Sequence, residues 1–220
     1  MSDNALIYIH GKGGTASAAE TFKPLFPEYE IFGFDYKAEN PWETEPEFKE
    51  YFKTLYKEYG PLTVIASSIG AYFLMISNVC DMITKAFFVS PIVDMERLIK
   101  DMMAGANVTD EELNEKGIIS VSEDMILSWD YLSWVRKHPV TWNVQTCILY
   151  GERDHFQSIE TMKRFAKSIN ADLTVMPNGE HWFHTDEQVN FREKWLNKHK
   201  ANASKAVGKN EGNPLYWATD

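Results

Sequence analysis

The 220-residue chain holds only two cysteines, Cys80 and Cys147. One sits in the apolar stretch AYFLMISNVC and one in TCILY. Two thiols are too few for a disulfide framework or a cysteine-based zinc site, so both read as buried apolar filler. Basic residues are also scarce. Lys and Arg number 22 against 32 Asp and Glu, a formal net charge of -10. That balance disfavours nucleic acid and anionic membrane as partners, because both are bound by releasing counterions to a basic surface. No apolar run approaches the roughly twenty residues of a membrane span. MSDNALIYIH carries no basic region and no cleavage site, and its apolar residues already belong to a first strand, so a cytoplasmic protein is expected. There is no H-E-x-x-H pattern, and no metal is expected.

What is present is a well-supplied core. Apolar residues make up 44% of the chain, which excludes a disordered polymer. Short apolar, β-branched runs recur: LIYIHG (6–11), IFGFDY (31–36), LTVIASS (62–68), KAFFVSPIV (85–93), TCILYGE (146–152) and DLTVMP (172–177). Runs that are apolar throughout, without alternation, indicate strands covered on both faces, as in a parallel sheet. Helical patterns separate them at 16–22, 45–59, 69–79, 159–169 and 187–198. Strand and helix alternate, so the class is α/β with six parallel strands. Residues 95–144 break the alternation. Three helical stretches, MERLIKDMMAG, TDEELNEKG and SEDMILSWDYLSWVRKH, predict a helical insertion there, the last with a stripe of Ile126, Trp129, Leu132 and Trp134 or Val135. One domain over 1–200 is expected, with 201–220 as a poorly ordered tail in which PLYW (214–217) docks on the body.

The loop after the first strand, HGKGGTAS, has two readings. Gly11, Gly13 and Ala16 fit the dinucleotide pattern G-x-G-x-x-G/A, and Asp35 at the end of the second strand stands where a ribose hydroxyl would be held. His10-Gly11 before a small-residue loop fits the oxyanion loop of a serine hydrolase instead. The third strand decides between them. LTVIASSIGAYFLM is an apolar strand, a turn with small residues on either side of Ser68, and an apolar helix, the setting of a nucleophile elbow. Here the chain resembles the α/β-hydrolase superfamily of serine esterases. Its G-x-S-x-G elbow reads Ala66-Ser67-Ser68-Ile69-Gly70, with Ala replacing the first Gly.

The resemblance implies the rest of a site. Ser68, two residues from each small position, is the nucleophile. Gly151-Glu152-Arg153-Asp154 looks like the family's acid loop and nominates Asp154, with Asp94 as the alternative acid. Gly179-Glu180-His181 looks like its histidine loop and nominates His181. Backbone N–H groups of Lys12 and Ile69 are the implied oxyanion donors, with His10 bracing the loop and Gly11 and Gly13 allowing close approach. The strand order implied is 2-1-3-4-5-6, as if the family's first two strands were missing, with residues 95–144 in the position of its cap. No cofactor is implied, and the partner is a small acyl ester. Trp129, Trp134 and Trp182, with Trp142, Met102 and Met103, are candidates for an apolar pocket wall. A nucleotide-binding oxidoreductase and a non-catalytic binding protein on the same fold are the rival classes.

Overall fold

The computed structural model describes residues 4–122 and 125–207. In chain order β1 (Ala5–Ile9) leads through a 3-10 turn at Ala16–Phe22 to β2 (Glu30–Phe34), α1 (Pro41–Tyr59), β3 (Leu62–Ser67), α2 (Ile69–Ile76) and β4 (Ile83–Val89). The insertion holds α3 (Met95–Gly105), α4 (Asp110–Lys116), β5 (Ile118–Ser122), β6 (Met125–Ser128) and α5 (Trp129–Lys137). Then come β7 (Gln145–Gly151), α6 (Ile159–Ser168), β8 (Asp172–Met176) and α7 (Asp186–Val207). The main sheet runs β2-β1-β3-β4-β7-β8, with every pairing parallel. Counted within this sheet alone, that is the expected 2-1-3-4-5-6. The continuous apolar runs explain it: β1 and nearly all of β3, β4 and β7 are buried, because helices cover both faces. One face packs on α1, α2 and α6 through Phe48, Phe52, Tyr72 and Met162, and the other on the 3-10 turn, the loop after it and α7 through Phe22, Phe26, Trp195 and Leu196.

Local chemistry sets the boundaries. α1 starts at Pro41, ahead of the expected position 45, because Asn40 and Glu43 form a capping box and proline suits the first helical position. Gly33 of β2 lies so close to the 3-10 turn that a Cβ there would stand 2.0 Å from the Ala16 carbonyl oxygen.

Two expectations need correction. The insertion is not all helical: β5 and β6 pair antiparallel, with Ile119 opposite Leu127 and Ser120 opposite Ile126. IISVS is rich in β-branched residues, which favour strand, and the helix after β6 begins only where the Ser128 side chain accepts a hydrogen bond from the Tyr131 amide at 3.3 Å. Ile126, 62% exposed, is therefore no part of a core stripe, whereas Leu132 and Val135 are buried. Secondly, α7 continues to Val207, since HKANASKAV holds good helix formers and no glycine. Positions 208–220, including 214–217, lie outside the described residues.

Candidate active site

β1 and β3 are neighbours whose following connections leave toward opposite edges of the sheet, which makes a crevice at their carboxyl ends. Ser68 stands there, between β3 and α2. Its backbone is left-handed, φ 50° and ψ -123°, a conformation costing a non-glycine residue on the order of 1–3 kcal/mol. The chain must turn from strand to helix within one residue, and the turn is clamped on both sides. The Ser68 amide donates to the Val89 carbonyl at 3.0 Å, and the Ser68 carbonyl accepts from Ile92 at 3.2 Å. Small neighbours make room: a Cβ on Gly70 would meet the His10 carbonyl oxygen at 2.3 Å, and one on Gly11 would meet the Ser68 Cβ at 2.9 Å. Ala66, in the place of the usual glycine, is fully buried. Although Ser68 occupies the cap position of α2, its side chain makes no cap hydrogen bond. Its Oγ is turned elsewhere.

That direction is His181. Its Nε2 lies 2.8 Å from the Ser68 Oγ, and its Nδ1 2.7 Å from Asp154 Oδ2. An ionised Asp154 only accepts, so Nδ1 carries the proton and Nε2 is left to accept from the serine hydroxyl. The second carboxylate oxygen accepts the Phe156 amide at 2.8 Å. The His181 and Asp154 side chains are 5% and 1% exposed, so the pair is screened from water. Two loops bring them together by backbone contact. A Cβ at Gly151 would stand 2.6 Å from the Gly179 carbonyl oxygen, which instead accepts the Arg153 amide at 2.8 Å, and the Asn178 amide donates to Glu152 at 2.9 Å. Beneath the acid loop, burial, and next the charge of Asp154, push the Tyr150 hydroxyl up to about 12, so it stays protonated and donates to the Gln157 carbonyl at 2.7 Å.

The other expected residues divide. His10 stacks on Tyr36 at 4.5 Å, its carbonyl accepts the Tyr36 hydroxyl at 2.9 Å, and its Nδ1 lies 2.9 Å from the Gly11 carbonyl oxygen. Gly13, at φ 75°, occupies backbone space that glycine favours. Lys12 lies between those two glycines, and Ile69 opens α2, where its amide has no acceptor within the helix. Asp94 accepts the Arg97 amide at 3.0 Å and caps α3, so it is Asp154 that engages the imidazole. Asp35 is exposed and paired with Lys37 at 2.7 Å. Of the three tryptophans, only Trp182 touches His181, edge-on at 4.6 Å. Trp134 instead lines a separate cleft of about 390 Å³ with Trp42, Asp130, Ser133, Lys137 and His138. Trp129 packs against the core beneath Arg136. Trp142 is buried against Phe88 and donates to Thr146, and Met103 is buried too. These side chains hold the insertion together because its apolar residues share one core with the sheet.

Two neighbours of the site escaped the sequence reading. Phe156 lies 4.5 Å from His181, and buried Gln157 bridges the acid loop to the start of the insertion by accepting the Val93 and Asp94 amides at 3.2 and 2.9 Å. The only signal for either was adjacency to Asp154. Among the described residues no cluster of His, Cys, Asp and Glu could hold a metal ion, and no helix is long and apolar enough to cross a membrane.

No protein-family model and no curated protein matches the sequence. Solved structures do match in shape. Est1E from Butyrivibrio proteoclasticus aligns over 91% of this chain and 88% of its own, with a TM-score of 0.72 at 14% identity. The mouse alpha/beta hydrolase domain-containing protein 10 covers 90% of each chain, with a TM-score of 0.66 at 13% identity. An esterase of Pyrococcus furiosus covers 93% of this chain and 83% of its own, with a TM-score of 0.61 at 17% identity. Sheet order, helices on both faces and these likenesses agree: the chain has the α/β-hydrolase fold, with six strands in its main sheet.

Proposed function

We propose that this protein is a serine hydrolase that cleaves a carboxylic ester or thioester through an acyl-enzyme, acting in the cytoplasm on a small acyl ester and using neither metal nor cofactor. The observation that carries the reading is the hydrogen-bonded chain from Asp154 through His181 to Ser68, which ends on a serine held at a strained apex. In this mechanism Ser68 Oγ attacks the acyl carbon as its proton passes to His181 Nε2. The carbonyl oxygen becomes an oxyanion, met by the backbone N–H groups of Ile69 and Lys12, each worth about 3 kcal/mol in comparable sites. The bond to the leaving oxygen of an ester, or sulfur of a thioester, breaks as His181 returns the proton to it. Water then attacks the acyl-serine, gives a proton to His181, and the acid departs with Ser68 restored. Asp154 orients the ring and stabilises its charged form without taking the proton.

A serine-directed fluorophosphonate tests this directly. Ser68 should carry the label, and Ser68→Ala should lose both labelling and ester turnover while keeping its melting temperature. Label on Ser67, or turnover that survives Ser68→Ala, would sink the proposal.

A further inference from the structure

Two aromatic rings at the site belong to no core. Trp182 is 55% exposed and Phe156 39%, although large aromatic side chains are ordinarily among the more buried residues. Both contact the same imidazole: Phe156 at 4.5 Å with planes 57° apart, Trp182 at 4.6 Å and 87°. They meet each other edge to face at 5.6 Å and 71°. Phe156 and Trp182 thus meet in a partly exposed corner against the buried His181 ring.

The chemistry proposed above, on which this inference rests, says what must lie in that corner. His181 Nε2 returns its proton to the leaving oxygen, so the leaving group is the part of the substrate that lies beside the imidazole. We infer that Phe156 and Trp182 are the specificity-determining seat for the leaving group, and that the seat takes a flat aryl group, as in an ester of a benzyl-type alcohol. Rings near right angles to one another already use edge-to-face packing, and a third ring entering the corner repeats it with both. The two carboxylates beside these rings are engaged with other groups: Glu180 lies 3.5 Å from His184, and Asp154 holds His181 and the Phe156 amide. An aryl group therefore meets apolar surface without uncovering a charge.

Benzyl, ethyl and choline esters of butyric acid test the seat, since benzyl and ethyl alcohols are of similar acidity and differ in shape. The expected result is a kcat/KM for the benzyl ester at least tenfold above that for the ethyl ester. Trp182→Ala and Phe156→Ala should each lower that ratio by about tenfold, with Trp182→Phe keeping most of it. A ratio that neither alanine variant changes overturns the inference, because the rings then serve only to hold His181. Preference for the choline ester also overturns it, in favour of a cation on the indole face. If no ester is turned over, the hydrolase reading fails separately, and a titration with benzyl alcohol followed at the Trp182 indole N–H by NMR decides the seat. A shift of that resonance supports the aryl corner; no shift overturns it.

Discussion

Gly11 and Gly13 stand two residues apart in one loop and are glycine for different reasons. A Cβ on Gly11 would press on Ser68, whereas Gly13 has open space around it and a φ of 75°. Gly11→Ala should therefore cost turnover more than stability, because the displaced atoms belong to Ser68, the proposed nucleophile. Gly13→Ala should cost about 1 kcal/mol of stability, the strain of a left-handed alanine. Melting temperatures and kcat/KM for an activated ester separate the two. Asp154→Asn should leave the fold intact and lower kcat by about 10⁴, because an amide can present its N–H to Nδ1 and stabilise the wrong tautomer. Equal rates for the variant and the parent would remove Asp154 from the mechanism. Ser68 was legible in the strand-turn-helix pattern around it, and Asp154 and His181 in loops after later strands that resemble those of a hydrolase; the structure brings the three side chains within hydrogen-bond distance. Phe156 and Gln157 were not legible: their roles depend on how the loop after β7 folds back over His181 and toward Asp94, and no periodicity encodes that.

At the scale of elements the sheet was readable and the insertion was not. A strand buried on both faces advertises itself as an unbroken apolar run of some length, but β5 and β6 are five and four residues long with one buried residue between them, Leu127, which is too short a pattern to separate a strand from a helix end. Ile126→Thr distinguishes the two assignments. On an exposed strand it should change stability by less than about 0.5 kcal/mol, whereas a buried helical stripe would lose more than 1. The far end of α7 carries a second prediction. His199 is buried, with Nδ1 3.6 Å from the Cys147 sulfur and its carbonyl accepting the Lys85 ammonium at 2.7 Å. Burial holds its imidazole below the ordinary histidine value of 6.5; Lys198 and Lys85 push the same way and Asp172 opposes them. Between the lowered and the ordinary value the unfolded chain binds a proton that the folded chain refuses. The stability contribution is therefore complete above about pH 6.5 and is lost as pH falls below it. Urea midpoints at pH 7 and pH 5 should diverge for the parent and converge for His199→Leu; an equal drop in both would assign the acid sensitivity elsewhere.

At the scale of the whole molecule, one crevice at the carboxyl ends of the strands gathers residues far apart in sequence. Ser68 and His181 are 113 positions apart yet share a hydrogen bond. The strand order that achieves this came into the sequence reading through resemblance rather than periodicity, since apolar runs say which segments are strands and nothing of who sits beside whom. The crevice has two sides of unequal construction. Asp154 and His181 ride on loops joined by main chain to main chain, Gly151 against Gly179. Ser68 belongs to the elbow of β3 and α2, tied toward that body by the β4 to β7 ladder and by the Ser90 amide on the Leu149 carbonyl at 2.8 Å. The Oγ to Nε2 hydrogen bond is where the side chains of the two sides meet. On warming, the proposed turnover should decline several degrees before near-ultraviolet dichroism reports any loss of tertiary structure, because a slip of a few tenths of an ångström between the two halves would disengage the proposed proton relay while both remain folded.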